Sequence, residues 1–234
     1  MDSIHHELNT SFNQNVILEL DAGAVDGLKK MPVDMFDGIY LGKAYNNALC
    51  LCIDIRNFSD FLCSHTDDIV FKLIKEFTSN LLSCINQFGY GCSYYKFLGD
   101  GVLVIWDETS KEAIKEALYI FKTYSDFLDE ELFKPYDTLS LCGALVEEKV
   151  FKYEISAEVS QLKYRDYVGY GINLACRLQT VARVNELLMN EKLVISYNIR
   201  HRVNNSPEIL RDLDRLKGLR DDDRKRALIF QERK

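Results

Sequence analysis

The sequence lacks any apolar run near the roughly 18 uninterrupted residues that a membrane-spanning helix needs. Its first seven residues have neither the basic start nor the apolar stretch of a signal peptide. A cytoplasmic chain with no membrane partner is the expectation. A CxxC pair is also missing: the seven cysteines, at 50, 52, 63, 84, 92, 142 and 176, are odd in number and match neither a disulfide framework nor a zinc site. They read as reduced, mostly buried, small apolar residues. There is no excess of positive charge, since 29 Lys and Arg against 36 Asp and Glu leave a net charge of −7. That argues against nucleic acid as a partner, while a small anion held by metal ions and a few basic side chains stays compatible. Neither an internal repeat nor a low-complexity segment is present.

With 234 residues, 47% of them hydrophobic, the chain can bury the core of one domain with an extension. Residues 1–44 read as an N-terminal extension with one short helix around 16–28, and residues 45–234 as the main domain. His5 and His6 sit near the terminus, where such a pair is ordinarily solvated, and receive no role. From residue 48 the patterning sharpens. Residues 48–55 read as a buried strand, and 67–88 as a helix with Thr66 as N-cap and Gly89 as its stop. Strands at 92–98 and 102–106 are joined by the tight Gly99-Asp100-Gly101 turn. A helix follows at 111–133, then a strand at 138–146 and a second extended stretch at 149–155. The last elements are a helix at 172–188 and strands at 192–196 and 226–230. Helices alternating with a mainly antiparallel sheet imply an α+β, two-layer, ferredoxin-like fold with helices packed on the sheet. The charged stretch 211–226 alternates in sign and reads as a solvated surface.

Two stretches set a carboxylate at the end of an apolar run: Asp54 in LCIDIRNFS and Asp100 in YKFLGDGVLVIW. An unpaired charge beside a buried strand is expensive, and a divalent cation would offset that cost. A third constellation, DYVGYGINLACR at 166–177, contains Asn173 and Arg177 four residues apart at the start of a helix, where they share one face. Gly169 and Gly171 let the backbone before that helix turn sharply or approach a ligand closely. Taken alone, Asn173 and Arg177 read first as a helix cap and a surface charge.

Together, IDIRNFSDF around Asp54, KFLGD with Lys96 and Asp100, and DYVGYGINLACRL with Asp166, Asn173 and Arg177 resemble the catalytic domain of class III nucleotidyl cyclases. The resemblance spans roughly residues 48–230 and rests on three motifs in order with matching internal spacing. It implies the class III cyclase fold and conversion of a nucleoside triphosphate to a 3′,5′-cyclic nucleotide and pyrophosphate. By resemblance, Asp54 and Asp100 hold two divalent cations, Mg²⁺ or Mn²⁺, with the backbone carbonyl of Ile55 as a further ligand. Lys96 and Asp166 match the positions that read the base, Asn173 the one that orients the ribose, and Arg177 the one that stabilises charge at the α-phosphate. Lys217 is a candidate for contacting the triphosphate, and an exposed lysine before a turn is the plainer alternative. In this family the active site lies between two chains, so a homodimer with composite sites is implied. One departure concerns residues 139–148, where the family commonly has a glycine-rich strand end with a basic residue.

Cyclisation is an in-line attack of the ribose 3′-hydroxyl on the α-phosphorus, so its catalysis is mostly positioning and charge neutralisation. A lysine donor beside an aspartate acceptor complements a ring-nitrogen acceptor next to an exocyclic amine, as in adenine and cytosine, whereas guanine and uracil present the reverse order. Tyr94, Tyr95, Tyr164, Tyr167 and Tyr170 crowd both base-reading positions and can shrink a purine pocket to pyrimidine size; each reads equally as ordinary strand packing. In size, and in having no sensor, transmembrane or linker domain, the chain is similar to the stand-alone bacterial cyclases of Pycsar anti-phage systems, which make cyclic UMP or cyclic CMP. The expectation leans to such a pyrimidine cyclase, with adenylate cyclase as the alternative. A diguanylate cyclase or polymerase palm would share a two-metal carboxylate site, but the chain has Leu98-Gly99-Asp100-Gly101 in place of a GGDEF-type hairpin. A catalytically inactive nucleotide-binding module is disfavoured because a competent residue type occupies each position.

Overall fold

Residues 48–53 are all buried, and their side chains alternate between two separate cores. Leu49, Leu51 and Ile53 enter one, and Ala48, Cys50 and Cys52 the other, as the period of two along a strand requires. The structure, a computed structural model, describes residues 4–7, 17–20, 38–157, 162–199, 216–220 and 227–231. Contacts divide the chain into two units, Met1–Tyr40 with Glu154–Arg165, and Leu41–Tyr153 with Asp166–Lys234.

In the first unit, β1 (Ile4–Glu7) pairs antiparallel with β2 (Ile17–Leu20), Ile4 opposite Leu20. The helix expected at 16–28 is therefore a strand at 17–20; its other positions lie outside the described residues. Pairing with a segment a dozen residues upstream satisfies the backbone groups that a helical turn would have used, and local periodicity does not reveal it.

The larger sheet contains β3 (Gly38–Arg56), β4 (Tyr94–Phe97), β5 (Gly101–Trp106), β6 (Ser140–Ala157), β7 (Leu162–Val168), β8 (Glu186–Asn190) and β9 (Ala227–Gln231). Its order is β4-β5-β3-β6-β8-β9, with β7 on β6. The β3–β5, β4–β5 and β8–β9 pairings are antiparallel and β6–β8 is parallel. The helices are α1 (Phe58–Ser64), α2 (Asp67–Phe88), α3 (Lys111–Phe127), α4 (Tyr170–Val181) and α5 (Glu191–Tyr197), with one π-helical turn at Leu128–Leu132 extending α3. Leu73, Phe77 and Leu81 of α2 and Ile114, Phe121 and Tyr124 of α3 share the core of Leu49, Leu51 and Ile53. The Tyr124 hydroxyl donates to the Phe77 carbonyl at 2.5 Å, tying the two helices together. Leu174, Ala175 and Leu178 of α4 pack with Cys50 and Cys52 on the opposite face. Each fully buried Leu or Ile contributes about 1.5–3 kcal/mol, so β3 is fixed from both sides.

The α+β class and the mainly antiparallel sheet agree with the sequence. Helix 67–88 is found as expected; Thr66 is extended at its N-cap with no side-chain capping bond, and the Gly89 N–H closes it on the Ile85 carbonyl. The two extended stretches at 138–146 and 149–155 are one strand, β6. The segment after Asn173 differs more. A helix was expected over 172–188 and a strand over 192–196; the helix ends at Val181, residues 186–190 are strand β8, and 191–197 are helix α5. All five β8 residues are buried, and a continuous apolar run carries no period to separate strand from helix. β8 is a strand because β6 and β9 offer edges on both sides. α5 starts where Asn190 is pinned, its amide donating to the Glu147 carbonyl and accepting from the Glu147 N–H, both at 3.1 Å. Its neighbours Leu193 and Val194 are both buried while Ile195 is 69% exposed, a helical rather than an alternating pattern.

Candidate active site

Asp54 is near the end of β3, directly opposite Gly101, the first residue of β5. A Cβ added at Gly101 would lie 2.6 Å from the Ile53 carbonyl oxygen and 2.9 Å from Asp54 Oδ1. Glycine is therefore what lets the 98–101 turn press against β3, and that contact brings Asp100 to Asp54. Both carboxylates line one cavity of about 380 Å³, with Ile55, Arg56, Asn57, Phe58, Ser59, Asp60, Gln179 and Thr180. Asn57 turns the chain from β3 into α1 in the left-handed region at φ 62°, which asparagine tolerates better than most residues. Its amide donates to the Thr138 carbonyl at 2.8 Å.

The Asp54 carboxyl is pushed up to about 6, first by burial and then by the negative charge of Asp100. A hydrogen bond from Gln179 Nε2 at 2.7 Å, the Ile55 N–H and the Arg56 guanidinium pull it the other way without cancelling the rise. Arg56 is itself engaged, donating to the Ala182 carbonyl at 2.5 Å. The cavity thus has a deficit of positive charge and three carboxylates in its wall, Asp54, Asp60 and Asp100. Hard oxygen donors short of a full ligand set suit Mg²⁺ or Mn²⁺, which complete their shells with water and phosphate oxygens. Among the described residues no group of three or more His, Cys, Asp or Glu is arranged as a ligand cage. A cation shared with a bound phosphate would fit the donors that Asp54, Asp100 and Ile55 bring to this cavity.

Lys96 and Asp166 meet at a second place. Lys96 is on β4 and Asp166 on β7, and the ammonium donates to Asp166 Oδ2 at 2.5 Å. The Tyr94 hydroxyl and the Tyr167 N–H each donate to Asp166 Oδ1 at 2.8 Å. Of the five tyrosines near these positions, Tyr94 and Tyr167 pack against each other, with ring centroids 5.0 Å apart. Tyr95 and Tyr164 are exposed, and Tyr170 lies under the Arg220 guanidinium.

Asn173 and Arg177 are on α4. Gly169 leads into the helix at φ 153°, and a Cβ there would lie 2.8 Å from both the Lys149 carbonyl oxygen and the Val150 Cα. Asn173 is exposed on the first turn, its N–H reaching the Gly169 carbonyl at 3.3 Å. The Arg177 guanidinium donates to the Lys217 carbonyl, so those two residues are neighbours and the exposed Lys217 lies beside α4. The structure thus brings together Asp54, Ile55 and Asp100, then Lys96 and Asp166, then Arg177 and Lys217. None of Lys96, Asp166, Asn173, Arg177 or Lys217 lines the cavity of Asp54.

Where residues 139–148 lack a basic strand end, Glu147 and Glu148 are buried, and Lys192 comes within 3.1 Å of Glu147 and Arg220 bonds Glu148. Those cations arrive from elsewhere in the chain and are engaged by the glutamates. Gln179 is the residue that motif reading missed. It sits two residues beyond Arg177, and only the packing of α4 on β3 reveals its bond to Asp54. All seven cysteines are free; Cys52 and Cys176 approach to 3.8 Å between β3 and α4. Among the described residues no helix is long and apolar enough to cross a membrane.

Neither a family model nor a curated protein matches this sequence. Solved structures do match in shape. The adenylyl cyclase CyaB from P. aeruginosa superposes with a TM-score of 0.64 at 15% identity, over 82% of this chain and 98% of that one. The guanylate cyclase domain of RhGC from Catenaria anguillulae, solved with GTP, gives 0.59 at 13% identity over 82% and 100%. The guanylyl cyclase Cya2 gives 0.58 at 16% identity over 81% and 92%. The chain has the fold of adenylyl and guanylyl cyclase catalytic domains, the class III cyclase fold that its three motifs imply.

Proposed function

We propose that this protein is a nucleotidyl cyclase, converting a nucleoside triphosphate to a 3′,5′-cyclic nucleotide and pyrophosphate, with residues 45–234 as its catalytic domain and 1–44 as an extension. The observation that carries the reading is the cavity at the end of β3, which Asp54 and Asp100 both line and where burial and the like charge of Asp100 hold the Asp54 carboxyl high. Two divalent cations bound there would neutralise the triphosphate and lower the pKa of the attacking 3′-hydroxyl. Asp54, Asp100 and the Ile55 carbonyl hold that position, and Gln179 keeps Asp54 turned toward it. Arg177 offers a planar fork to the oxygens of the α-phosphate, which gain charge as the 3′-oxygen bonds to phosphorus and the bond to the pyrophosphate breaks. Asn173, one turn earlier on the same face, orients the ribose, and Lys217 meets the triphosphate. No dedicated protein base is required.

The residues for phosphate and base lie outside the carboxylate cavity of their own chain, which supports a homodimer in which each site takes Asp54 and Asp100 from one subunit and Lys96, Asp166, Asn173 and Arg177 from the other. The tyrosine rings packed at Asp166 support a small base. The reading is therefore a pyrimidine cyclase, cytoplasmic, making cyclic CMP or cyclic UMP in anti-phage signalling, with no nucleic-acid or membrane partner. The test is to incubate purified protein with Mn²⁺ and each of ATP, GTP, CTP and UTP, and to identify products by mass. Cyclic CMP or cyclic UMP is expected. Cyclic AMP as the main product would replace the pyrimidine reading with an adenylate cyclase, and no cyclic product from any nucleotide would overturn the enzyme.

A further inference from the structure

Among the described residues, the Asp166 carboxylate accepts from Lys96 on Oδ2 and from the Tyr94 hydroxyl and the Tyr167 N–H on Oδ1. These donors are themselves packed and bonded. The Tyr94 ring rests on that of Tyr167, which is 6% exposed and whose hydroxyl donates to Asp107 at 2.7 Å. The Tyr45 ring lies 6.3 Å from Tyr167 on centroids. The Asp166 side chain is 9% exposed and that of Lys96 39%, so the pair reaches solvent mainly through its lysine.

The final torsion of an aspartate is broad. A carboxylate free to turn offers its oxygens over a range of directions and tolerates a base edge in either order. With Oδ1 tied by two donors, that freedom is removed, and the acceptor stays at a set place beside the lysine donor. The geometry points to Tyr94 as a positioning residue for base selection. Its hydroxyl fixes Asp166 so that the site sorts nucleotides by the order of donor and acceptor on the base edge, favouring the amine-bearing order of cytosine and adenine over the keto–imide order of uracil and guanine. This rests on the reading of Lys96 and Asp166 as base contacts.

The test compares CTP with UTP and ATP with GTP, pairs that match in ring size and differ at the edge. Initial rates for all four would be measured on the wild-type protein, Tyr94→Phe, Asp166→Asn and the double variant. Tyr94→Phe retains the ring and removes only the hydroxyl, so packing against Tyr167 survives. It should move the CTP:UTP and ATP:GTP ratios of kcat/KM toward unity by roughly tenfold, the scale of one misplaced hydrogen-bonding group. The Mn²⁺ concentration for half-maximal rate should stay the same. Because Tyr94 acts through Asp166, the double variant should show the ratios of Asp166→Asn alone. Unchanged ratios in Tyr94→Phe, alongside a shift in Asp166→Asn, would overturn the role of Tyr94 and leave the base-reading pair standing. Equal losses for all four nucleotides would make Tyr94 a structural residue, and additive effects in the double variant would place its action elsewhere. Unchanged ratios in Asp166→Asn itself would remove the base-reading assignment and this inference with it.

Discussion

Asp54 and Asp166 are both aspartates on strands of one sheet, and their surroundings treat charge in opposite ways. Asp166 is the more deeply buried, and it meets an ammonium, a hydroxyl and a backbone amide. Asp54 has a neutral amide from Gln179 and an Arg56 whose guanidinium is bonded to Ala182, while Asp100 adds a like charge. A buried charge without a partner raises the free energy of the protein unless something else supplies the opposite charge. The balance at Asp166 is complete within the chain, as suits contact with a neutral base edge. At Asp54 it is left open, as suits a cation that comes with the substrate.

The contrast predicts which substitutions act on all nucleotides and which redistribute them. On the proposed reading, Asp54→Ala or Asp100→Ala should reduce cyclase activity by roughly three orders of magnitude or more for every triphosphate, since each would remove a ligand of charge-neutralising cations. Normal rates in either folded variant would break the assignment of the cavity. Lys96→Glu combined with Asp166→Asn should have a smaller and uneven effect, about one to two orders of magnitude on the native substrate and less on the others. Equal losses on all four would show that this pair supports the fold or the phosphates and erase the distinction between the regions.

A next effect, smaller again, follows if the two regions that complete one site belong to different subunits. Asp54→Ala and Arg177→Ala chains, each inactive, should regain activity when mixed and allowed to exchange. A heterodimer has one site with both defects and one with neither. With half of the dimers mixed and one of their two sites intact, recovery should approach about a quarter of the wild-type rate. If mass measurement shows the heterodimer and the rate stays at zero, the site is contained within one chain.

What was legible in the sequence divides along similar lines. The 48–55 part of β3, α2 and the 94–106 hairpin could be read because their patterns are local: an apolar run ending at Asp54, a helical stripe from Ile69 to Phe88, and a glycine-bounded turn. β8 and α5 could not, because Leu187 to Met189 have no period and their state is decided by β6 and β9, strands distant in sequence. The three motifs singled out Asp54, Lys96, Asp100, Asp166 and Arg177, and within one chain these stand in three places: Asp54 with Asp100, Lys96 with Asp166, and Arg177 beside Lys217. The sequence was silent on Gln179 and on Tyr94 as a partner of Asp166, since each acts through a contact spanning 125 or 72 residues. Charge compensation, the feature that separates the two regions, depends on such contacts and therefore appears only in three dimensions.

The smallest expected effect is on stability, and it measures the open charge at Asp54 directly. In the metal-free folded protein the Asp54 carboxyl is raised from an ordinary 3.8 to about 6. A raised carboxyl means the folded state holds the proton more tightly than the unfolded chain does. The penalty fades as pH falls below 3.8, where both states become protonated. The penalty grows as pH rises from 3.8 to 6 and is complete above the upper value. Asp54→Asn removes the charge and retains an oxygen to accept from Gln179. It should therefore raise the metal-free melting temperature at pH 7.5, by roughly 2–4 °C, the shift expected for a change near 1 kcal/mol in a domain of this size. At pH 4.5, low in that window, the gain should fall to roughly a third. Mn²⁺ should reverse the order at pH 7.5, stabilising the wild-type protein more than the variant, because the cation then supplies the charge that Asp54 lacks. A variant that melts below the wild-type protein at pH 7.5 without metal, or a gain that is the same at both pH values, would show that the charge at Asp54 is already balanced within the chain.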